Sequence, residues 1–182
     1  GAVVCWGRNT YGGLGNNTAT TAYSPVIVSG LTDAVQVRSG GDHSCALRST
    51  GAVVCWGNNA YGQLGNSSTT NSYTPVTVTG LTDATQVGIG YNHSCARRTS
   101  GAVVCWGYNS SGQLGNGSAS AATAPVTATG LTDAVQVAAG SNNTCARRAS
   151  GAVACWGDNS YGTIGNGTTA TAYVPMAVTG LP

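Results

Sequence analysis

GAVVCWG begins at Gly1, Gly51 and Gly101, and its variant GAVACWG at Gly151, so the chain repeats every 50 residues without insertion or deletion. A fixed period of roughly 20–50 residues marks a solenoid, a propeller or an array. The 182 residues hold three full periods and a remainder of 32. Units of about 50 residues rarely bury enough surface alone, so each must pack on its neighbours.

One period reads as four short strands. Ala34–Val37 is the first, repeated at Ala84–Val87 and Ala134–Val137, each followed by a glycine at Gly40, Gly90 or Gly140. His43–Leu47, His93–Arg97 and Asn143–Arg147 form the second, and Ala52–Trp56 the third. Pro75–Val78 is the fourth; proline at a strand start fits an edge, because it cannot donate to a ladder. The Pro25, Pro75, Pro125 and Pro175 strands are therefore expected outermost. Ser49-Thr50-Gly51 gives strands two and three a three-residue hairpin loop, with glycine where positive φ is wanted. The long loop Gly57–Asn66 carries Gly and Asn in phase in every period. Glycine allows left-handed backbone there, and Asn can bond nearby backbone groups.

Four-stranded units at this spacing predict an all-β chain, a β-propeller of antiparallel blades. A helical solenoid is excluded by the absence of any 3.6-residue periodicity. A parallel β-helix is the alternative, although its coils are usually shorter. The phase divides the chain into an incomplete unit at 1–32, the two outer strands of a blade, and three blades at 33–82, 83–132 and 133–182. That makes about three and a half blades in a single repeat domain.

Gly-x-Val-x-x-Trp-Gly-x-Asn-x-x-Gly-Gln-Leu-Gly, then Pro-Val-x-Val-x-Gly-Leu, then Val-x-Val-x-x-Gly-x-x-His-Ser-Cys-Ala resembles the regulator of chromosome condensation repeat. The resemblance covers the whole chain. It implies a propeller, typically seven-bladed in that family, whose members include a chromatin-bound nucleotide exchange factor and a secreted bacterial inhibitor of β-lactamases. Function does not follow from it, because propellers host many unrelated tasks.

Composition removes several classes. Charged residues are 7% of the chain, with no Lys or Glu, and the net charge is +2. So small a charge does not drive binding to phosphate backbones, and no nucleic-acid partner is expected. No apolar run approaches the 18 or so residues of a spanning helix, so no membrane span is expected. No signal peptide stands at Gly1, which says nothing if the chain is a mature form or a fragment.

Seven cysteines occupy two repeat positions. Cys45, Cys95 and Cys145 lie in strand two; Cys5, Cys55, Cys105 and Cys155 lie in strand three. Each hairpin sets its pair ten residues apart about the loop centre, opposing Cys45 to Cys55, Cys95 to Cys105 and Cys145 to Cys155. Opposed residues about 4.5–5.5 Å apart at Cα fall in the disulfide range. The competing reading is reduced, buried thiols that merely pack; a zinc site is disfavoured because no ligand-like His accompanies the pairs. Disulfides imply an oxidising compartment and an extracellular or cell-surface location. Cys5 is left over, which suggests an intermolecular bond or truncation.

No catalytic residue, metal site or cofactor is expected. His43 and His93, replaced by Asn143 in the next repeat, would need a partner such as Ser44 or Ser94 for catalysis; anchoring the turn is the preferred reading. Asp33, Asp83 and Asp133 recur as turn residues. Trp6, Trp56, Trp106 and Trp156 are expected between blades. Arg48, Arg97, Arg98, Arg147 and Arg148 gather at the hairpin tips as a basic arc suited to carboxylates, sulfates or phosphates. On the opposite face the loops vary between repeats, and Tyr11, Asn58, Tyr61, Tyr108, Asp158 and Tyr161 are the candidate binding residues. Sequons stand at Asn16, Asn66, Asn92, Asn109, Asn116, Asn142 and Asn166.

The expected function is an exported, non-enzymatic binding module that grips a protein or other macromolecule through its loops. The alternative is a structural subunit, assembling as a ring, multimer or filament, whose incomplete blade is completed by another chain, including another copy of itself.

Overall fold

Alternating Val, Cys and Trp between glycine-punctuated turns produces strands alone. The computed structural model describes residues 1–181; the expected end of the last blade at Pro182 lies outside them. Fourteen strands form four antiparallel sheets. β1 (Val4–Gly7) and β2 (Ala22–Ile27) make a two-stranded sheet. The next sheet is β3 (Ala34–Ser39), β4 (His43–Arg48), β5 (Val53–Gly57) and β6 (Ser72–Thr77), in that order. β7 (Ala84–Ile89), β8 (His93–Arg98), β9 (Val103–Gly107) and β10 (Ala122–Thr127) repeat the order. So do β11 (Ala134–Ala139), β12 (Asn143–Arg148), β13 (Val153–Gly157) and β14 (Ala172–Ala177). The chain is all-β, with four-stranded antiparallel blades at a 50-residue period and about three and a half blades in total.

The hairpin register pairs Cys45 with Cys55, Cys95 with Cys105 and Cys145 with Cys155, and all three pairs are disulfides. Their Cα atoms are 4.0 Å apart, closer than ordinary opposed residues. Gly51 turns the first of these hairpins at φ +85°, donating its N–H to Arg48 O at 3.0 Å. A side chain at that φ would strain the turn.

The proline strands do lie at the sheet edges, but proline does not start them. Pro75 is the fourth residue of β6, which begins at Ser72. Between the pairs Cys55–Val76 and Gly57–Ser72 the register shifts, with three residues of β6 facing one of β5. Proline has no N–H to offer a ladder, and this bulge removes the need for one.

The core lies between blades. Each of Trp56, Trp106 and Trp156 is fully buried among valine, leucine and alanine side chains, and each disulfide sits beside them. Among the described residues no helix is long and apolar enough to cross a membrane.

Candidate functional site

The boundary between blades is built from the same parts each time. Trp56 donates its indole N–H to Gly13 O at 2.8 Å, and Trp106 and Trp156 donate to Gln63 O and Gln113 O at 2.9 Å. Gly15, Gly65 and Gly115 floor these rings; a Cβ there would lie under 3 Å from the indole nitrogen. Trp6 departs from the expected core position. Among the described residues no blade packs on its outer side, and it is 63% exposed.

His43 Nε2 lies 2.9 Å from Ser94 Oγ, and His93 Nε2 lies 2.9 Å from Thr144 Oγ1. The partner that a catalytic reading demands is therefore present for His43. However, Ser94 Oγ donates to Gln63 O at 2.9 Å, so its proton faces away from the ring and the imidazole must donate. Both rings are buried, and their Nδ1 atoms have no hydrogen-bond partner. Burial pushes His43 down to about 3, assisted by repulsion from His93, and burial pushes His93 down to about 4. These are neutral fasteners between blades. Gln36 and Gln86 act beside them, their Oε1 atoms accepting from Val87 N at 2.9 Å and Val137 N at 2.8 Å. Sequence reasoning missed the glutamines, although their recurrence in Gln-Val was visible.

The basic arc is largely neutralised. Arg48, Arg98 and Arg148 each set Nε 2.8 Å from Asp33, Asp83 and Asp133. The hydrogen bond from Arg48 holds Asp33 below the usual carboxylate range, and Arg98 does so for Asp83. The recurrent acids fold back because a hairpin tip and the turn entering the same sheet are neighbours. Only Arg97 and Arg147 of the arc lack an acidic partner among the described residues.

The opposite face carries the candidate binding residues. Asn58, Tyr108 and Asp158 each donate their backbone N–H to the turn between the two innermost strands, at Asp42 O, Asn92 O and Asn142 O, all at 2.9 Å. These loops and turns therefore share one face. Tyr61 and Tyr108, from successive repeats, pack as a tilted pair with ring centroids 4.8 Å apart at 59°. Tyr11 and Tyr161 are exposed, and Tyr161 stands 93% open. Asn58 and Asp158 are less free than expected. Asn58 Oδ1 accepts from Ala60 N and Gln63 Nε2. Asp158 Oδ1 accepts from Ser160 N and Oγ, which hold it below the usual carboxylate range. Two features escaped the sequence reading. Tyr91, 54% exposed, packs against Gly41 beside these loops, and Arg8 pairs with Asp42 on the same face. Tyr91 is singular among positions 41, 91 and 141, and that singularity was the available signal.

Of the sequon asparagines, Asn109 is fully buried and donates to Asn116 Oδ1, Ser118 O and Ser120 O. A folded chain cannot carry a glycan there.

A groove of about 410 Å³ opens beside β1. Cys5 lines it as a half-buried free thiol, and burial raises its pKa.

Comparison with known proteins agrees with this geometry. The fold is shared with yeast RCC1 (Prp20) in its complex with Kap60, at 23% identity and a TM-score of 0.85, covering 99% of this chain and 45% of that one. Human WBSCR16 gives 26% identity and a TM-score of 0.85, covering 99% and 49%. Prp20p from Saccharomyces cerevisiae, whose binding to Gsp1p and histones has been described, gives 23% and 0.86, covering 99% and 47%. The chain thus spans about half the length of these relatives. No curated protein matches its sequence significantly. The regulator of chromosome condensation (RCC1) repeat profile matches residues 1–47, 50–97 and 100–147, and a second profile of that repeat matches 34–63, 84–113 and 134–163. On those matches, which span most of its length, the chain belongs to the regulator of chromosome condensation (RCC1) repeat family.

Proposed function

We propose that the protein is an exported, non-enzymatic binding module that holds a protein or other macromolecule against the face bearing Tyr11, Tyr61, Tyr108 and Tyr161. The single observation that carries this reading is the tilted Tyr61–Tyr108 pair, on the same face as the exposed Tyr11 and Tyr161 and on loops braced by the blade turns. Tyrosine offers large, rigid, amphipathic contact area at small entropic cost. Asn58 and Asp158 shape the loops that present it. Propellers of this repeat commonly bind proteins, and Prp20p is described with protein partners. The three disulfides support an oxidising compartment, hence export to the exterior or cell surface.

A photo-crosslinking residue at position 61 or 108 tests the reading in the exported fraction. Cross-links to a macromolecule are expected from these positions and not from Thr50 at a hairpin tip. Labelling from Thr50 alone would overturn it.

A second reading is favoured by β1, which pairs with β2 alone. We infer that the unit at 1–32 supplies the two outer strands of a blade, preceding blades at 33–82, 83–132 and 133–182.

A further inference from the structure

We propose that Tyr61, Tyr108 and Gln113 form a binding site for a proline-rich segment in the extended polyproline II conformation, with Gln113 Nε2 donating to one of its carbonyls. The inference rests on the tyrosine-face reading and names the chemistry which that face takes.

The loops after the third strands follow a pairing rule. The first residue past the strand's closing glycine is matched to the residue five further on. Asn58 Oδ1 accepts from Gln63 Nε2 at 3.2 Å. Asp158 O accepts from Thr163 Oγ1 at 2.7 Å. Arg8 is matched by Gly13, which has no side chain to satisfy. The loop at 108–113 breaks the rule, because Tyr108 offers Gln113 no carboxamide oxygen. Gln113 is fully buried, and its Nε2 has no hydrogen-bond partner among the described residues. An unpaired buried donor is costly, and a local rule broken without a structural gain is expected at functional sites.

The orientation of that donor is fixed. Gln113 Oε1 accepts from Ser111 N at 3.0 Å, just as Gln63 Oε1 accepts from Tyr61 N at 2.9 Å. The Gln113 amide is therefore held toward the place that Asn58 Oδ1 fills one period earlier. Tyr108 occupies that place with a half-buried side chain. Rotation of a surface side chain is rapid, and rotating Tyr108 uncovers the amide.

The surrounding groups select the ligand. Segments 58–64 and 108–114 contain no charged residue, so the site has no counter-charge for a carboxylate, a phosphate or a cation. Their side-chain carbonyl oxygens, on Asn58, Asn59, Gln63, Asn109 and Gln113, all accept from their own loops. The open capacity is in donors: Gln113 Nε2, and the Tyr108 hydroxyl proton, since that oxygen accepts from Ser110 Oγ at 2.6 Å. A matching ligand presents carbonyls, few N–H or O–H groups, and apolar surface for the Tyr61–Tyr108 pair. Proline has no N–H, and polyproline II leaves its carbonyls unbonded on a preformed helix. Aromatic-lined sites are a recurring solution for such segments. A saccharide brings a donor with every hydroxyl, and these loops hold no open side-chain carbonyl to receive one.

Decaproline titrated into isotope-labelled protein, followed by NMR, is the test. Saturable binding is expected, with the Gln113 side-chain amide protons moving downfield as they gain an acceptor. Tyr61→Ala and Tyr108→Asn should each weaken binding at least about tenfold. Tyr108→Asn rebuilds the pairing of Asn58 with Gln63, so its urea midpoint should not fall, and its loss of binding then reports the ring rather than the fold. Equal binding by the parent and both variants, or a Gln113 amide that does not move, would overturn the proposal. So would saturable binding of a neutral glucose oligosaccharide in place of decaproline. If decaproline fails to bind while position 61 still cross-links to a macromolecule, the ligand class fails and the tyrosine-face reading stands. If neither occurs, both fail.

Discussion

His43 and Ser94 meet across a blade boundary, 51 residues apart in sequence and 2.9 Å apart in space. Ser94 donates its own proton to Gln63 O, so one imidazole N–H, one hydroxyl and one carbonyl join two strands and a loop of two blades. The arrangement has the residue types of a nucleophile and its base, but it is closed to solvent and its proton points the wrong way for catalysis.

Acid should loosen these boundaries. The folded values of about 3 for His43 and about 4 for His93 lie below the unfolded value near 6.5. The unfolded chain therefore binds more protons at mildly acidic pH. Stability from neutral burial is complete above about pH 6.5 and is lost as pH falls toward the folded values, by about 1.4 kcal/mol per pH unit for each histidine. Urea unfolding at pH 7 and pH 4.5 measures the loss. His43→Gln should flatten the pH dependence by one proton.

The indole N–H of Trp56 donates to the part-buried Gly13 O, whereas Trp6 is exposed. Trp56→Phe leaves Gly13 O with Ser44 Oγ as its remaining donor and should cost about 0.5–1.5 kcal/mol. Trp6→Phe should stay within about 0.5 kcal/mol. Denaturant midpoints of the two variants provide the comparison.

Each hairpin disulfide closes a loop of ten residues' separation. Replacing Cys95 and Cys105 together by alanine should destabilise the fold by roughly 2–3 kcal/mol. Alkylation of the native, unreduced protein should modify Cys5 and leave the six paired cysteines unmodified, as counted by mass.

Asp33, Asp83 and Asp133 mask three of the five arginines in the arc. Changing all three to asparagine should lengthen retention on a cation-exchange column by more than about three times the shift from changing Asp158 alone, which has no arginine partner among the described residues. Thermal stability should change little, because exposed ion pairs contribute small amounts.

Much of the fold was legible because identical local chemistry recurs at a fixed phase. Cys45 and Cys55 could be paired from their symmetry about Thr50, since a hairpin turn dictates register. The proline strand was placed at the edge correctly but begun three residues late, because Pro75 sits in a bulge, and bulges insert residues that alternation does not announce. The site was less legible. Arg48 and Asp33 are 15 residues apart, and only the closing of the sheet brings them together. Asn58 and Asp158 looked available because a sequence does not show where a carboxamide or carboxylate points. Tyr61 and Tyr108 are separated by 47 residues, and their contact depends on the angle between blades.

By itself the sequence determined the period, the strand count, the cysteine pairing and the oddness of Cys5, because hydrogen-bond ladders, turns and register are local consequences of residue order. Tertiary structure alone decided which polar groups remain free. His43, Gln36 and Trp56 find their partners in a neighbouring blade, while Trp6 and Cys5 line an open groove. Contacts between blades depend on the packing angle and on which neighbour is present, and neither is written in the order of residues within one repeat.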